Sequence, residues 1–429
     1  MQLDKLLRQT IIWRGFYLFS TFLVTIFLSR ILHSVASGVI FYFANLFALF
    51  VLIFGLSLES AFTYFLSSRK ISIDALVSMG IVWVGVISIP IVGILIYVYH
   101  YYLPTMVSGM QWIIYGMMFI VGNILYNYFA ALFYALNNFF LPNFLSAALN
   151  IFLLLFLLIS RVAKETIFFT FFLTNFLQGI IVMLAFMVSN KLKYFKVNLH
   201  RKDIIAVMQF AVTALGANII FFLLYRIDYW LVQGFCAPSD LGNYIQASKM
   251  GQAFLFIPQI FATTLFPVTA RYNNDILITD VLLKLFRLLM QLFILLFIVF
   301  FFAGNWIFGV LLGQDFLLAN RAFMILLPGI FCLSMLSLLS SFFGGKNSVH
   351  INLRGALVGL VVLLIGNLFL IKHYSIEKAA LMSSVGYATN FLFAMVYFRK
   401  LVAFQVAEIF KWKIADWVWL KKFLFQLNK

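Results

Sequence analysis

Long apolar runs alternate with short polar connections from one end of this chain to the other. A helix that crosses hydrocarbon needs about 20 apolar residues. That ruler marks twelve segments: 10–29, 36–58, 75–97, 110–135, 143–160, 167–189, 205–235, 242–268, 281–303, 318–342, 352–371 and 377–398. Barrel strands alternate polar and apolar positions over about ten residues, and these runs are too long and too uniformly apolar for that. The pattern predicts an all-α membrane protein of twelve transmembrane helices. A last stretch, 404–427, has a different period: Ile409, Trp417, Leu420, Phe423, Leu424 and Leu427 share one helical face, with Glu408, Lys411, Lys421, Lys422 and Gln426 opposite. So many lysines argue for an interfacial helix lying on the membrane rather than a thirteenth span.

Composition narrows the class. The 429 residues are 65% hydrophobic and 10% charged, and the longest hydrophilic connection, Lys191 to Asp203, leaves no room for an extramembrane catalytic domain. The net charge of +17 does not point to nucleic acid, because the basic residues are scattered among short loops. Placed on alternating sides of twelve spans, 22 Lys and Arg fall on one side and six on the other. That bias puts both termini in the cytoplasm and the basic loops against anionic lipid headgroups. Lys5 and Arg8 lead into a full-length first span with no small-residue cleavage site, as in an uncleaved first helix. Cys236 and Cys332 are far apart and read as small buried apolar residues. None of the five histidines has metal-ligand spacing, and there is no GxxxxGK[ST] loop for a nucleotide phosphate. No enzyme chemistry, metal or cofactor is indicated, and transport is favoured over catalysis.

A faint internal repeat divides the chain. Asn138 and Asn143 precede the fifth segment as Asn347 and Asn352 precede the eleventh, and Asn175-Phe176-Leu177 recurs as Asn390-Phe391-Leu392. Two six-helix lobes follow, 1–190 and 204–400, joined by the basic 191–203 linker and trailed by an amphipathic tail, 401–429. Parallel repeats of this kind imply a cleft between the halves.

Five charges lie inside apolar segments, where an ionisable group costs about 3 kcal/mol or more unless paired or functional. Arg14 sits one turn into the first span, close enough to the interface to snorkel. Glu59 ends the second span at the same level and is within reach of Arg14, as a structural ion pair or a titrating carboxylate. Asp228 in span seven and Lys249 in span eight both lie about 10–14 Å below the intervening outer turn at 1.5 Å per residue, and so can meet across the hairpin. Arg226, about 200° round the helix from Asp228, must face elsewhere: toward the interface or into a cavity. Pro258, two and a half turns beyond Lys249, is placed to bend span eight around such a cavity.

From span seven onward the motifs resemble those of a known family. Tyr225-Arg226-Ile227-Asp228-Tyr229, then Asp240-Leu241-Gly242-Asn243-Tyr244, then Leu265-Phe266-Pro267 are similar to the Arg-x-Asp, Leu/Val-Gly-x-Tyr and Phe-Pro series of the Wzx-type polysaccharide flippases. Gly313 before Asp315-Phe316, the Gly345-Lys346-Asn347 turn and Phe54-Gly55-Leu56 continue the likeness in order along the chain. The Ser37-Gly38 start of span two departs from the family's Gly-x-Tyr. The resemblance implies the fold of the multidrug and lipid II exporters, two six-helix lobes around a central cleft. It implies a bacterial inner-membrane protein whose substrate is an oligosaccharide on undecaprenyl pyrophosphate, moved between leaflets by alternating access for O-antigen or capsule synthesis. Arg14, Arg226 and Lys249 would hold the pyrophosphate. Asp228 or Glu59 would couple transport to a proton or sodium ion, and a polysaccharide polymerase and chain-length regulator would be partners. Two rivals remain: a drug or cation antiporter of the same fold, which would show acidic and aromatic residues in its cleft, and a membrane-embedded polysaccharide polymerase, which would carry a large charged outer loop.

Overall fold

The structure, a computed structural model, describes residues 2–102, 108–159, 162–191, 200–271, 275–346, 348–402, 406–411 and 413–426. Lys193, Lys196 and most of the basic linker lie outside the described residues, as do Arg161, Asn347, Leu427 and Lys429. The described residues form helices and turns and no strand. The helices are α1 (Gln2–Gly55), α2 (Leu58–Ser67), α3 (Ile73–Tyr102), α4 (Gly109–Ala135), α5 (Phe140–Ile159), α6 (Lys164–Ser189), α7 (Arg201–Phe235), α8 (Pro238–Phe254), α9 (Phe256–Arg271), α10 (Asp275–Leu311), α11 (Leu317–Gly345), α12 (Val349–Leu370), α13 (Ile376–Leu401) and α14 (Ile414–Gln426).

Ten of these are long and apolar enough to cross a membrane, and the chain is a multi-pass membrane protein. Among the described residues each of the twelve expected segments falls mainly on helix, though not one to one. The first two merge in α1, whose 54 residues are broken at His33, where the backbone turns to φ 60°. The eighth is divided between α8 and α9, of 17 and 16 residues, each too short to span alone.

The chain forms two compact units, Met1–Leu28 with Ile40–Ile219, and Ser29–Val39 with Ile220–Lys429. In the first unit α4 packs against α3 and α6. Gly179 lets α6 approach closely enough that an added Cβ would lie 2.1 Å from the Gly122 carbonyl oxygen. Phe47, Trp112 and Phe172, all fully buried, fill the space between α1, α4 and α6. In the second unit α11 packs against α10 and α13, with Gly329 against the Ser384 backbone. Asn175 and Asn390 each stand at a close helix crossing, beside Gly122 and Gly355 respectively.

The end of α1 shows how backbone demand is met in apolar surroundings. Leu56 and Ser57 adopt left-handed φ values of 49° and 55°, which stops the helix and costs a non-glycine residue steric strain. The carbonyls left without helical partners accept elsewhere: Phe54 O from Trp83 Nε1 at 2.8 Å and Gly55 O from the Tyr128 hydroxyl at 2.8 Å.

Where one helix is expected over 404–427, the structure has a 3-10 turn, Val406–Phe410, and then α14, and Asp416, which the hydrophobic pattern does not single out, holds α14 in place. Asp416 accepts Arg287 Nε at 2.6 Å and Nη2 at 2.9 Å, both side chains being almost wholly buried. Trp417 Nε1 donates to Gln291 Oε1 at 2.6 Å, so α14 is fastened to two successive turns of α10. Just before it, Lys411 and Lys413 hold the Glu408 carboxylate below its usual range by hydrogen bonding to it.

Candidate functional site

The first pair of in-membrane charges does not form. Arg14 is exposed on α1. Glu59 lies half-buried on α2, beyond the left-handed turn at Leu56 and Ser57 rather than at the end of the second span. The ion pairs of the described residues do not join them.

The second group assembles within the second unit, with different partners from those expected. Asp228 is 1% exposed. Its carboxylate accepts the Tyr244 hydroxyl at 2.5 Å, the Ser383 hydroxyl at 2.8 Å and the Tyr229 backbone N–H at 2.9 Å. Tyr244, not Lys249, stands opposite it across the α7–α8 hairpin. Register explains the change: α8 already begins at Pro238, so the residue level with Asp228 lies about two turns into α8, and Lys249 is a further turn along. Lys249 is half-buried beside Ser248, within electrostatic reach of Arg226.

Arg226 occupies the other side of α7, as the 200° separation requires. Its Nη1 donates to the Tyr229 hydroxyl at 2.7 Å and its Nη2 to Gln252 Oε1 at 2.9 Å. The guanidinium lies 5.2 Å from the Tyr229 ring centre, a cation–π distance. Gln252 in turn donates to Ser248 at 3.1 Å. Two of the five guanidinium N–H groups therefore orient the side chain.

Arg226 faces a cavity of about 310 Å³ in the second unit, which Ser248, Gln252, Gln259, Ser337 and Ser340 also line. Tyr225, Tyr387 and the aliphatic side of α11 complete its walls. Span eight is interrupted beside it. Pro258 has no N–H for the Phe254 carbonyl, α8 ends at Phe254, and Leu255, Phe256 and Gln259 at the break all face the cavity. Discontinuous helices are how transporters present polar backbone inside a membrane. Arg226 is the one charged residue among the described residues lining this space, and no carboxylate among them reaches it. Among the described residues no three His, Cys, Asp or Glu side chains converge to hold a metal.

In the segment Asp240 to Tyr244, Gly242 and Asn243 serve packing of α8. A Cβ on Gly242 would lie 2.0 Å from the Ser34 carbonyl oxygen, and one on Gly38 would lie 2.9 Å from Gly242 N, so both glycines serve one close crossing. Asn243 donates to Asp315 O at 3.0 Å and accepts Ala319 N at 2.9 Å, tying α8 to the start of α11. Asp315 is bonded to His33 Nδ1 at 2.7 Å, and Gly313 enters that turn at φ 110°. Tyr229, Tyr244, Gln252 and Ser383 are the site residues that charge alone does not reveal. Their available signal is spacing: Tyr244, Ser248 and Gln252 recur every fourth residue and form a polar stripe on one face of α8.

No protein with a curated description matches the chain significantly. Residues 162–320 match the family described as polysaccharide biosynthesis protein. Among solved structures, the lipid II flippase MurJ in an inward closed conformation aligns with a TM-score of 0.69 and 16% identity, covering 100% of this chain and 93% of that one. An inward-facing multidrug resistance MATE family transporter of the MOP superfamily gives 0.68 and 13%, covering 89% and 93%. The Vibrio cholerae MATE transporter VcmN in its bent form gives 0.60 and 14%, covering 93% and 97%. At these identities the likeness is one of fold. The chain thus carries the signature of a polysaccharide biosynthesis family over residues 162–320, on the fold shared by the lipid II flippase MurJ and the MATE transporters.

Proposed function

We propose that this protein is a flippase that moves an oligosaccharide linked to undecaprenyl pyrophosphate across the bacterial inner membrane, for O-antigen or capsule assembly. The observation that carries the reading is the sign of the cavity: a lone, oriented arginine, with no acidic residue among the described lining. A phosphoryl group crosses a low-dielectric region only with a charge-assisted partner. A drug or cation antiporter would need the opposite sign there, and Asp228, within electrostatic reach of Arg226, does not line the cavity and is bonded by hydroxyls. Lys249 and Arg14 are further contacts for the pyrophosphate as it moves, under alternating access between halves 1–190 and 204–400. Both termini are taken as cytoplasmic, with a polymerase and chain-length regulator as partners.

Asp228 is the better candidate for ion coupling, and Glu59 the weaker. A buried carboxylate ringed by two hydroxyls can exchange between charged and neutralised states when a proton or sodium ion arrives. Glu59 is half-buried and has no such shell among the described residues. Deleting the gene should cause an undecaprenyl-linked saccharide to accumulate on the inner leaflet. Wild-type protein should clear it, and Arg226→Gln, present at equal abundance, should not. Normal surface polysaccharide in the deletion strain would refute the reading.

A further inference from the structure

The first unit holds a further cavity, of about 670 Å³, where the turn from α2 to α3 meets the end of α4. Ser67, Arg69, Lys70 and Asn137 belong to its polar lining and Leu66, Ile71 and Leu136 to its apolar lining, and no carboxylate among the described residues lines it. The two turns are built alike. Arg69 N–H donates to Leu66 O and Lys70 N–H to Phe65 O, both at 3.0 Å; Asn137 N–H donates to Tyr134 O and Asn138 N–H to Phe133 O, both at 2.9 Å. Each closure sets one residue in the left-handed region, Arg69 at φ 54° and Asn137 at φ 62°.

Two ordinary reasons for basic residues at a helix end do not account for Arg69 and Lys70. The carbonyls of Tyr64, Phe65 and Leu66 already accept from the turn's own N–H groups, so no side chain is needed to cap them. General attraction to a charged membrane surface is met by a mobile side chain on any backbone. Arg69 instead holds a conformation that glycine adopts without steric cost. Lys70 is also fixed: its Nζ donates to the Tyr64 hydroxyl at 2.9 Å and lies 4.9 Å from that ring's centre. Tyr64 in turn stacks on Phe210 at 4.9 Å. Neither cation has a carboxylate partner in the ion pairs of the described residues. Two positioned cations beside aliphatic side chains, where spanning helices end, suit an amphiphile that carries a phosphate. The guanidinium and ammonium match phosphoryl oxygens, and Leu136 with its aliphatic neighbours matches the glycerol and the first methylenes. A soluble phosphate would leave the aliphatic lining uncovered.

We infer that this cavity is a binding site for the headgroup of an anionic phospholipid, with Arg69 and Lys70 on its phosphate. The bound lipid bridges the turn after α2 and the turn after α4, two helices that pack against each other. It therefore braces that end of the first unit. The site shares no residue with the Arg226 cavity and does not depend on the flippase reading.

The test titrates the purified full-length protein in detergent with phosphatidylglycerol or with phosphatidylcholine and counts bound lipid by native mass spectrometry. Phosphatidylglycerol should bind about tenfold or more tighter than phosphatidylcholine, a preference that shrinks as ionic strength rises. Millimolar inorganic phosphate, the free-anion arm, should not displace it. Arg69→Gly removes the guanidinium and relieves the left-handed strain, so the lipid-free variant should melt no lower than the wild type. Its affinity for phosphatidylglycerol should nevertheless fall about tenfold, the loss of one charge-assisted hydrogen bond. Lys70→Gln should lose a similar factor. Phosphatidylglycerol should also raise the melting temperature of the wild type and do so less in both variants. Equal binding of the two lipids, unchanged phosphatidylglycerol affinity in both variants, or displacement by inorganic phosphate would each overturn the lipid site.

Discussion

Removing Asp416 should release the tail from α10. Arg287 and Asp416 are 3% and 1% exposed and joined by two bonds of 2.6 and 2.9 Å. Asp416→Ala leaves a buried guanidinium without its counter-charge, a change that costs about 3–5 kcal/mol. One further bond remains to Arg287, to Glu408 O at 3.3 Å, and Trp417 still meets Gln291, which places the expected cost near the lower end. At 1.4 kcal/mol per tenfold, local opening of α14 should become roughly a hundred times more frequent. Amide hydrogen exchange over residues 414–426, in detergent or nanodiscs, reports that opening directly. Replacing both partners by apolar residues, as in Arg287→Met/Asp416→Leu, removes the stranded charge and should restore most of the protection, because the pair's net contribution is small compared with the cost of breaking it. The reasoning fails if Asp416→Ala leaves exchange in α14 unchanged, or if the double variant is as unprotected as the single one.

Two other outcomes follow from the geometry. Gly242→Ala sets a Cβ 2.0 Å from the Ser34 carbonyl oxygen and should destabilise by about 3 kcal/mol, the upper part of the range for overpacking; Gly85→Ala, inside α3 with nothing within 4 Å of its added Cβ, is the control in the same thermal-unfolding assay and should stabilise slightly, by up to about 1 kcal/mol. Tyr244→Phe removes a hydrogen bond to a buried carboxylate and should cost about 1.5–3 kcal/mol, but less than half of that in an Asp228→Asn background; equal costs in both backgrounds would show that the phenol does not act through Asp228.

Much of the site was readable in outline and misplaced in detail. Arg226 and Asp228 stand out because a charge inside an apolar run has so few explanations, and their two-residue separation correctly sends them to different faces of α7. Their partners could not be read in the same way. The Asp228–Lys249 meeting depended on counting 1.5 Å steps from the outer turn, and starting α8 at Pro238 shifts that count by a turn. The Arg14–Glu59 meeting assumed that span two runs straight into Glu59, while the helix stops at Gly55 and the left-handed positions that follow, Leu56 and Ser57, are not glycines. The Leu-Gly-x-Tyr motif and the departure at Ser37-Gly38 both fall at the place where Gly38 and Gly242 cross.

By itself, the order of apolar runs determined that the chain is helical and crosses the membrane many times, since backbone polar groups in hydrocarbon must be satisfied within the segment that carries them. It also marked which charges needed an explanation. The tertiary structure alone decided what those charges face. Neutral partners such as Tyr229, Tyr244, Gln252 and Ser383 come from three helices and make no mark in hydropathy, so only their convergence distinguishes an oriented arginine at a cavity wall from a carboxylate sealed behind it.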